Sequence, residues 1–152
     1  MNIIATSTLA RFIAAFVIYA VVDVLWNVSP MALGMYEALH DASGGLRDEF
    51  GKQPDTWGGI EAVSLIVFFV LIAYANVRLA IEPAIRDNSL MVAVKNSLAL
   101  GCAAYATYIV PVFVATANWP AALVPIDIII GGLLSLITST AVTSIALRAR
   151  NR

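Results

Sequence analysis

The chain has 152 residues, 61% of them hydrophobic and 12% charged, with a formal net charge of −1 and a mean hydropathy of +0.86. Soluble domains carry about 25% charged and about 45–50% apolar residues, so this chain has too little polar surface to cover a water-soluble fold, and too much apolar content to be disordered. Nine Lys/Arg against ten Asp/Glu give no basic excess for nucleic-acid binding. The composition predicts a small integral membrane protein.

A membrane-crossing helix needs about 20 largely apolar residues, and four charge-poor windows meet that length. The first, 12–33, carries one charge, Asp23. The stretch Met1–Arg11 before it resembles the start of a secretory signal. The apolar run continues to Leu25 and beyond without a small-residue cleavage site, so it reads as a span. Leu33, Tyr36 and Leu39, at helical spacing beside Glu37, His40 and Asp41, predict a short amphipathic segment at the interface. Gly44-Gly45 ends it, and Leu46 and Phe50 dock a second short piece before Pro54. The second window, 57–81, has Glu61 and Arg78 near its ends, and the third, 90–117, has Lys95 near its start. Only Asn118-Trp119-Pro120 separates the third from the fourth, 121–147, whose single charge is Asp127. Helices joined so tightly are antiparallel neighbours. With no repeat in the chain, the expectation is a single all-α domain over 1–152: a four-transmembrane-helix bundle with a short amphipathic segment in its first outer loop.

Four spans put both termini and the connection around 82–89 on one side. That side collects Arg11, Arg78, Arg86, Lys95, Arg148, Arg150 and Arg152, against Arg47 and Lys52 on the other. The positive-inside rule places that side, with both termini, in the cytoplasm, and acidic Glu37, Asp41, Asp48, Glu49 and Asp55 outside. Lys95 and the terminal arginines read as topology determinants that snorkel to headgroups, and Trp57 and Trp119 as interfacial anchors.

Inside the spans, Asp23 and Asp127 are the costly residues, because a central Asp is penalised by roughly 2.5–3.5 kcal/mol on an insertion scale. Such groups face a bundle interior and find partners there. At 1.5 Å per residue they lie roughly 15 and 9 Å from the outer ends of their helices, and Glu61, one turn into the second span, belongs to the same half. Tyr19, Asp23 and Asn27 recur every four residues in the first span, as do Asp127, Gly131, Ser135 and Ser139 in the fourth. Small and polar residues at that spacing build close helix interfaces. The third span adds Tyr105 and Tyr108. Pro111, one turn on, lacks an N–H and is expected to kink the helix and free the Thr107 carbonyl. The predicted ligand-binding or proton-exchange cluster is therefore Asp23, Glu61, Tyr105, Tyr108 and Asp127, with Tyr19 and Asn27 beside it. The same residues serve equally well to fix helix register, and His40 reads as a solvated loop residue.

The single cysteine, Cys102, offers no disulfide and no metal-ligand spacing. With no Ser-His-Asp set, phosphate-binding glycine loop or His-x-x-x-His pair, no catalytic residue, metal or cofactor is expected.

Asp23-Val24-Leu25-Trp26 with Tyr36, then Ala104-Tyr105-Ala106-Thr107-Tyr108, then Asn118-Trp119-Pro120 with Asp127-Ile128, resemble a family of small bacterial four-helix membrane proteins catalogued only as a domain of unknown function. The resemblance runs through the whole chain and implies the four-span fold and a place in a bacterial inner membrane. Where the family usually carries an acidic residue and a Thr-Asn pair after Thr-Tyr, this chain has Ile109, Val110 and Pro111. Where the family has Trp-Gly after the last Asp, it has Ile130-Gly131.

The leading expectation is binding or transport of a small solute or lipid through the outer-half polar pocket. An accessory subunit of a larger membrane complex and a lipid-modifying membrane enzyme are the alternatives. Expected partners are membrane lipids, a small-molecule ligand, and a membrane-protein partner or a second copy.

Overall fold

The computed structural model describes residues 3–42, 58–116 and 118–150. Among them all regular structure is helical, and four helices are long and apolar enough to cross a membrane. Trp57, Arg152 and the segment with Gly44-Gly45, Leu46, Phe50 and Pro54 lie outside the described residues.

A single turn, α1 (Ile3–Thr6), leads into α2 (Thr8–Asn27), which Ser7 caps by accepting the Ala10 N–H on its hydroxyl at 3.3 Å. The 12–33 window divides into two helices. Pro30 has no N–H to continue the ladder, so α2 closes at Val28 and α3 (Pro30–Ala42) starts afresh with Pro at its first position. Ser29 caps the restart, its hydroxyl accepting the Ala32 N–H at 3.1 Å. The amphipathic segment is thus a separate helix with its own direction.

The second span, α4 (Gly59–Arg86), contains a π-helical turn at Val77–Ile81. Pro83 cannot donate to the Leu79 carbonyl four residues earlier. The Asn96 amide of α5 (Leu90–Ala115) donates to that carbonyl instead, at 2.8 Å. Between the two helices Asn88 takes a left-handed φ of 49°, and the Ser89 N–H returns to the Ala84 carbonyl at 2.9 Å, a Schellman-type stop. α5 continues through Pro111 to Ala115. A second left-handed residue, Asn118 (φ 60°), turns the chain toward α6 (Leu123–Arg150).

α5 and α6 are antiparallel neighbours in contact along their length, as the short connection predicts. A Cβ on Gly101 would stand 2.1 Å from the Gly131 carbonyl oxygen, and one on Gly131 would stand 2.2 Å from Cδ2 of Tyr105. No side chain fits at either crossing point. α4 meets α5 chiefly at the π-turn and the residues after it, and barely along Gly59–Asn76.

The radial distribution is that of a bilayer protein. Val17, Val21, Leu71, Ile129 and Ile137 face outward, where lipid accepts them. Asn76, Ser97, Ser135, Thr138, Ser139 and Thr143 are buried inside. Asn76 ties α4 to α6: its amide donates to the Ile72 carbonyl at 2.8 Å, and its Oδ1 accepts the Ser139 hydroxyl at 2.8 Å. A core of Ala15, Ala73, Val77, Ile81, Val142 and Ala146 closes the end at which α2 begins and α6 finishes. Thr8 links α2 to α4 at that end, its hydroxyl donating to Glu82 Oε1 at 2.8 Å, while Arg78, one turn before Glu82 on α4, donates to Oε2 at 2.6 Å.

Candidate functional site

At the opposite end, four helices and the α5–α6 link surround a polar cavity of about 280 Å³ lined by Asn27, Tyr36, His40, Tyr105, Tyr108, Trp119, Leu123 and Asp127. Its floor is Asp127, one turn into α6 and only 9% exposed. The Tyr36 hydroxyl donates to Asp127 Oδ1 at 2.5 Å, and α3 is brought over the bundle end to make that bond. Burial, first, and the Asp127 carboxylate, second, push the Tyr36 phenol above its ordinary value of 10.0, so the phenol is a donor at any physiological pH. His40, one turn further along α3, lies within electrostatic reach of Asp127. Its ring meets Trp119 edge-on, with centroids 5.6 Å apart and planes at 90°.

A second acid–phenol pair lies beside the first. The Tyr105 hydroxyl donates to Asp23 Oδ1 at 3.4 Å, and the Asn27 amide donates to the Asp23 carbonyl at 2.9 Å. Tyr19 is fully buried next to Tyr105 and Ser135, and its hydroxyl makes no hydrogen bond of good geometry among the described residues. Tyr105 joins the pairs, since it bonds Asp23 on one side and lines the cavity over Asp127 on the other. The glycine crossing at Gly131 is what lets its ring sit there.

Asp23, Asp127, Tyr105, Tyr108, Tyr19 and Asn27, singled out from the sequence, therefore gather in one region. Glu61 stands apart at the start of α4, where its Oε2 accepts the Gly58 N–H at 3.0 Å, and it is not among the described lining residues. Sequence reasoning missed Tyr36, His40 and Trp119 as cavity residues. Tyr36 and His40 come from α3 and Trp119 from the α5–α6 link, and their approach depends on the helix break before Pro30 and the left-handed Asn118. His40, expected in solvent, instead helps to wall the site. Among the described residues, an exchange of the kind expected at Thr107 and Pro111 is seen at Pro83, where the Asn96 amide donates to the Leu79 carbonyl.

Four apolar helices around a polar interior, with a hydrogen-bonded acid under a cavity at one end, define a multi-pass helical membrane protein. The chain belongs to the family described as "Predicted membrane protein (DUF2177)", which its residues 8–144 match. No curated protein and no solved structure matches the chain.

Proposed function

We propose that the protein is a multi-pass protein of the bacterial inner membrane that binds a small cationic solute or lipid headgroup in the cavity over Asp127. The basic end faces the cytoplasm and the cavity faces outward, in accord with the positive-inside rule. One observation carries the reading: a 9% exposed carboxylate forms the floor of a cavity walled by Tyr36, Tyr108 and Trp119. An acid among aromatic rings suits an ammonium group, through charge and through cation–π attraction worth about 2 kcal/mol where water is excluded. No Lys or Arg is among the described lining residues.

Purified protein in nanodiscs, titrated with ethylammonium and with tetramethylammonium, tests this through tryptophan fluorescence, read in a Trp26→Phe, Trp57→Phe background that leaves Trp119. A saturable change is expected that Asp127→Asn removes while helical circular dichroism is kept. A response equal in Asp127→Asn, or none in the unsubstituted protein, overturns the proposal.

A further inference from the structure

A second, apolar hollow of about 690 Å³ lies between α4 and α5, lined along α4 by Leu65, Phe68, Leu71, Ile72 and Ala75. Its α5 wall includes Tyr105 and Tyr108, and both tyrosines also line the polar cavity. The two spaces are therefore neighbours across one pair of side chains. The hollow has a structural cause. α4 and α5 are pinned together at the π-turn, where Asn96 holds the Leu79 carbonyl, and barely touch along Gly59–Asn76, so they diverge toward the cavity end. A wedge open to the bilayer is left between them.

Its dimensions match one class of occupant. From Leu65 to Ala75 the groove runs about 15 Å along α4, half of the roughly 30 Å hydrocarbon core. It begins at the level of Tyr108 and ends near Leu100, so it follows the acyl region of one leaflet. Its wide end abuts the cavity that holds Asp127. A groove for one acyl chain and an acidic, aromatic cavity at its mouth are the two halves of an amphiphile site.

We propose that the occupant is a membrane lipid with an ammonium headgroup, which enters sideways between α4 and α5, sets its ammonium against Asp127 and lays one chain along the groove. This rests on the cavity reading above and adds the lateral entrance and the chain. Charge complementarity selects the headgroup, since Asp127 lines the cavity and Asp23 is bonded to its Tyr105 wall, with no Lys or Arg among the described lining residues. The phosphate of such a lipid stays outside, at the headgroup level.

Native mass spectrometry of protein supplied with equal amounts of phosphatidylethanolamine and phosphatidylglycerol tests the proposal. The unsubstituted protein should retain phosphatidylethanolamine about tenfold in preference. Ala75→Phe fills the groove away from the cavity. Val63→Phe places the same bulk on the exposed face of α4 outside the groove. Ala75→Phe should lose most of the retained lipid and keep its ethylammonium response, which also shows that it is folded, while Val63→Phe should keep both. Equal retention of the two lipids, or unchanged retention in Ala75→Phe, overturns the lipid assignment even where ethylammonium still binds. Failure of ethylammonium in the unsubstituted protein overturns the cavity reading itself.

Discussion

Tyr36 and Asp127, 91 residues apart in the chain, are joined by a 2.5 Å hydrogen bond from phenol to carboxylate. The bond fastens α3, a helix outside the spans, to the buried start of α6. Tyr36→Phe leaves Asp127 without its donor. Interhelical bonds in membrane proteins are worth about 0.6 kcal/mol on average and about 1.7 at most, and unfolding in mixed micelles should show a loss in that range. In a double-mutant cycle with Asp127→Asn the effects should be less than additive. Simple additivity would mean that the two groups do not interact.

The same phenol sets a pH dependence. Tyr36 is pushed above its ordinary value of 10.0, first by burial and then by Asp127, so the fold favours its neutral form. That contribution is fully present below about pH 10 and is lost as pH rises through the folded-state value. Ultraviolet titration of the native protein, with Tyr36→Phe subtracted, should show tyrosinate appearing above the range of free tyrosine. Ionisation of Tyr36 at the ordinary value would contradict its burial against Asp127.

Substitutions at three glycines should rank by what the new methyl meets. Gly101→Ala drives a Cβ to 2.1 Å from backbone oxygen of Gly131, and Gly131→Ala to 2.2 Å from Tyr105. Overpacking typically costs about 1–3 kcal/mol, and Gly101→Ala should be the worse, because backbone cannot step aside. Gly131→Ala should also move Tyr105 away from Asp23. Gly34→Ala in α3 meets nothing within 4 Å and should gain about 0.5–1 kcal/mol from helix propensity. Thermal melts of the three variants check the order.

Asn96→Leu should leave the Leu79 carbonyl beside Pro83 without its side-chain donor, at a cost of about 1 kcal/mol. Hydrogen exchange should rise locally around the π-turn. An exchange pattern identical to that of the unsubstituted protein would mean that Asn96 does not hold the turn.

Orientation is tested by cysteine labelling in a Cys102→Ser background, which removes the only native thiol. Asp87 and Asp41 are exposed at opposite ends of the bundle. Asp87→Cys should react with an impermeant maleimide only from the cytoplasmic side, and Asp41→Cys only from outside. The reverse pattern would put the cavity in the cytoplasm.

The membrane class, four apolar helices and the antiparallel α5–α6 pair were legible in the chain, because hydrophobic windows, charge positions and the short Asn118-Trp119-Pro120 link are local properties. Asp23, Asp127, Tyr105 and Tyr108 were legible for a related reason: a polar group inside an apolar window needs a partner, whatever that partner is. Asn76 carries the same signal in the second span. The identity of the partners is not local. Tyr36 reaches Asp127 only because Pro30 breaks the first helix and α3 takes a new direction. His40 and Trp119 meet only across two connections, and the hollow beside them exists because α4 and α5 are pinned at one end and diverge at the other. Residue type and position along the chain settle which groups lipid makes costly. Which of those groups meet, and the cavity they enclose, was decided by helix directions that depend on contacts between residues far apart in the chain.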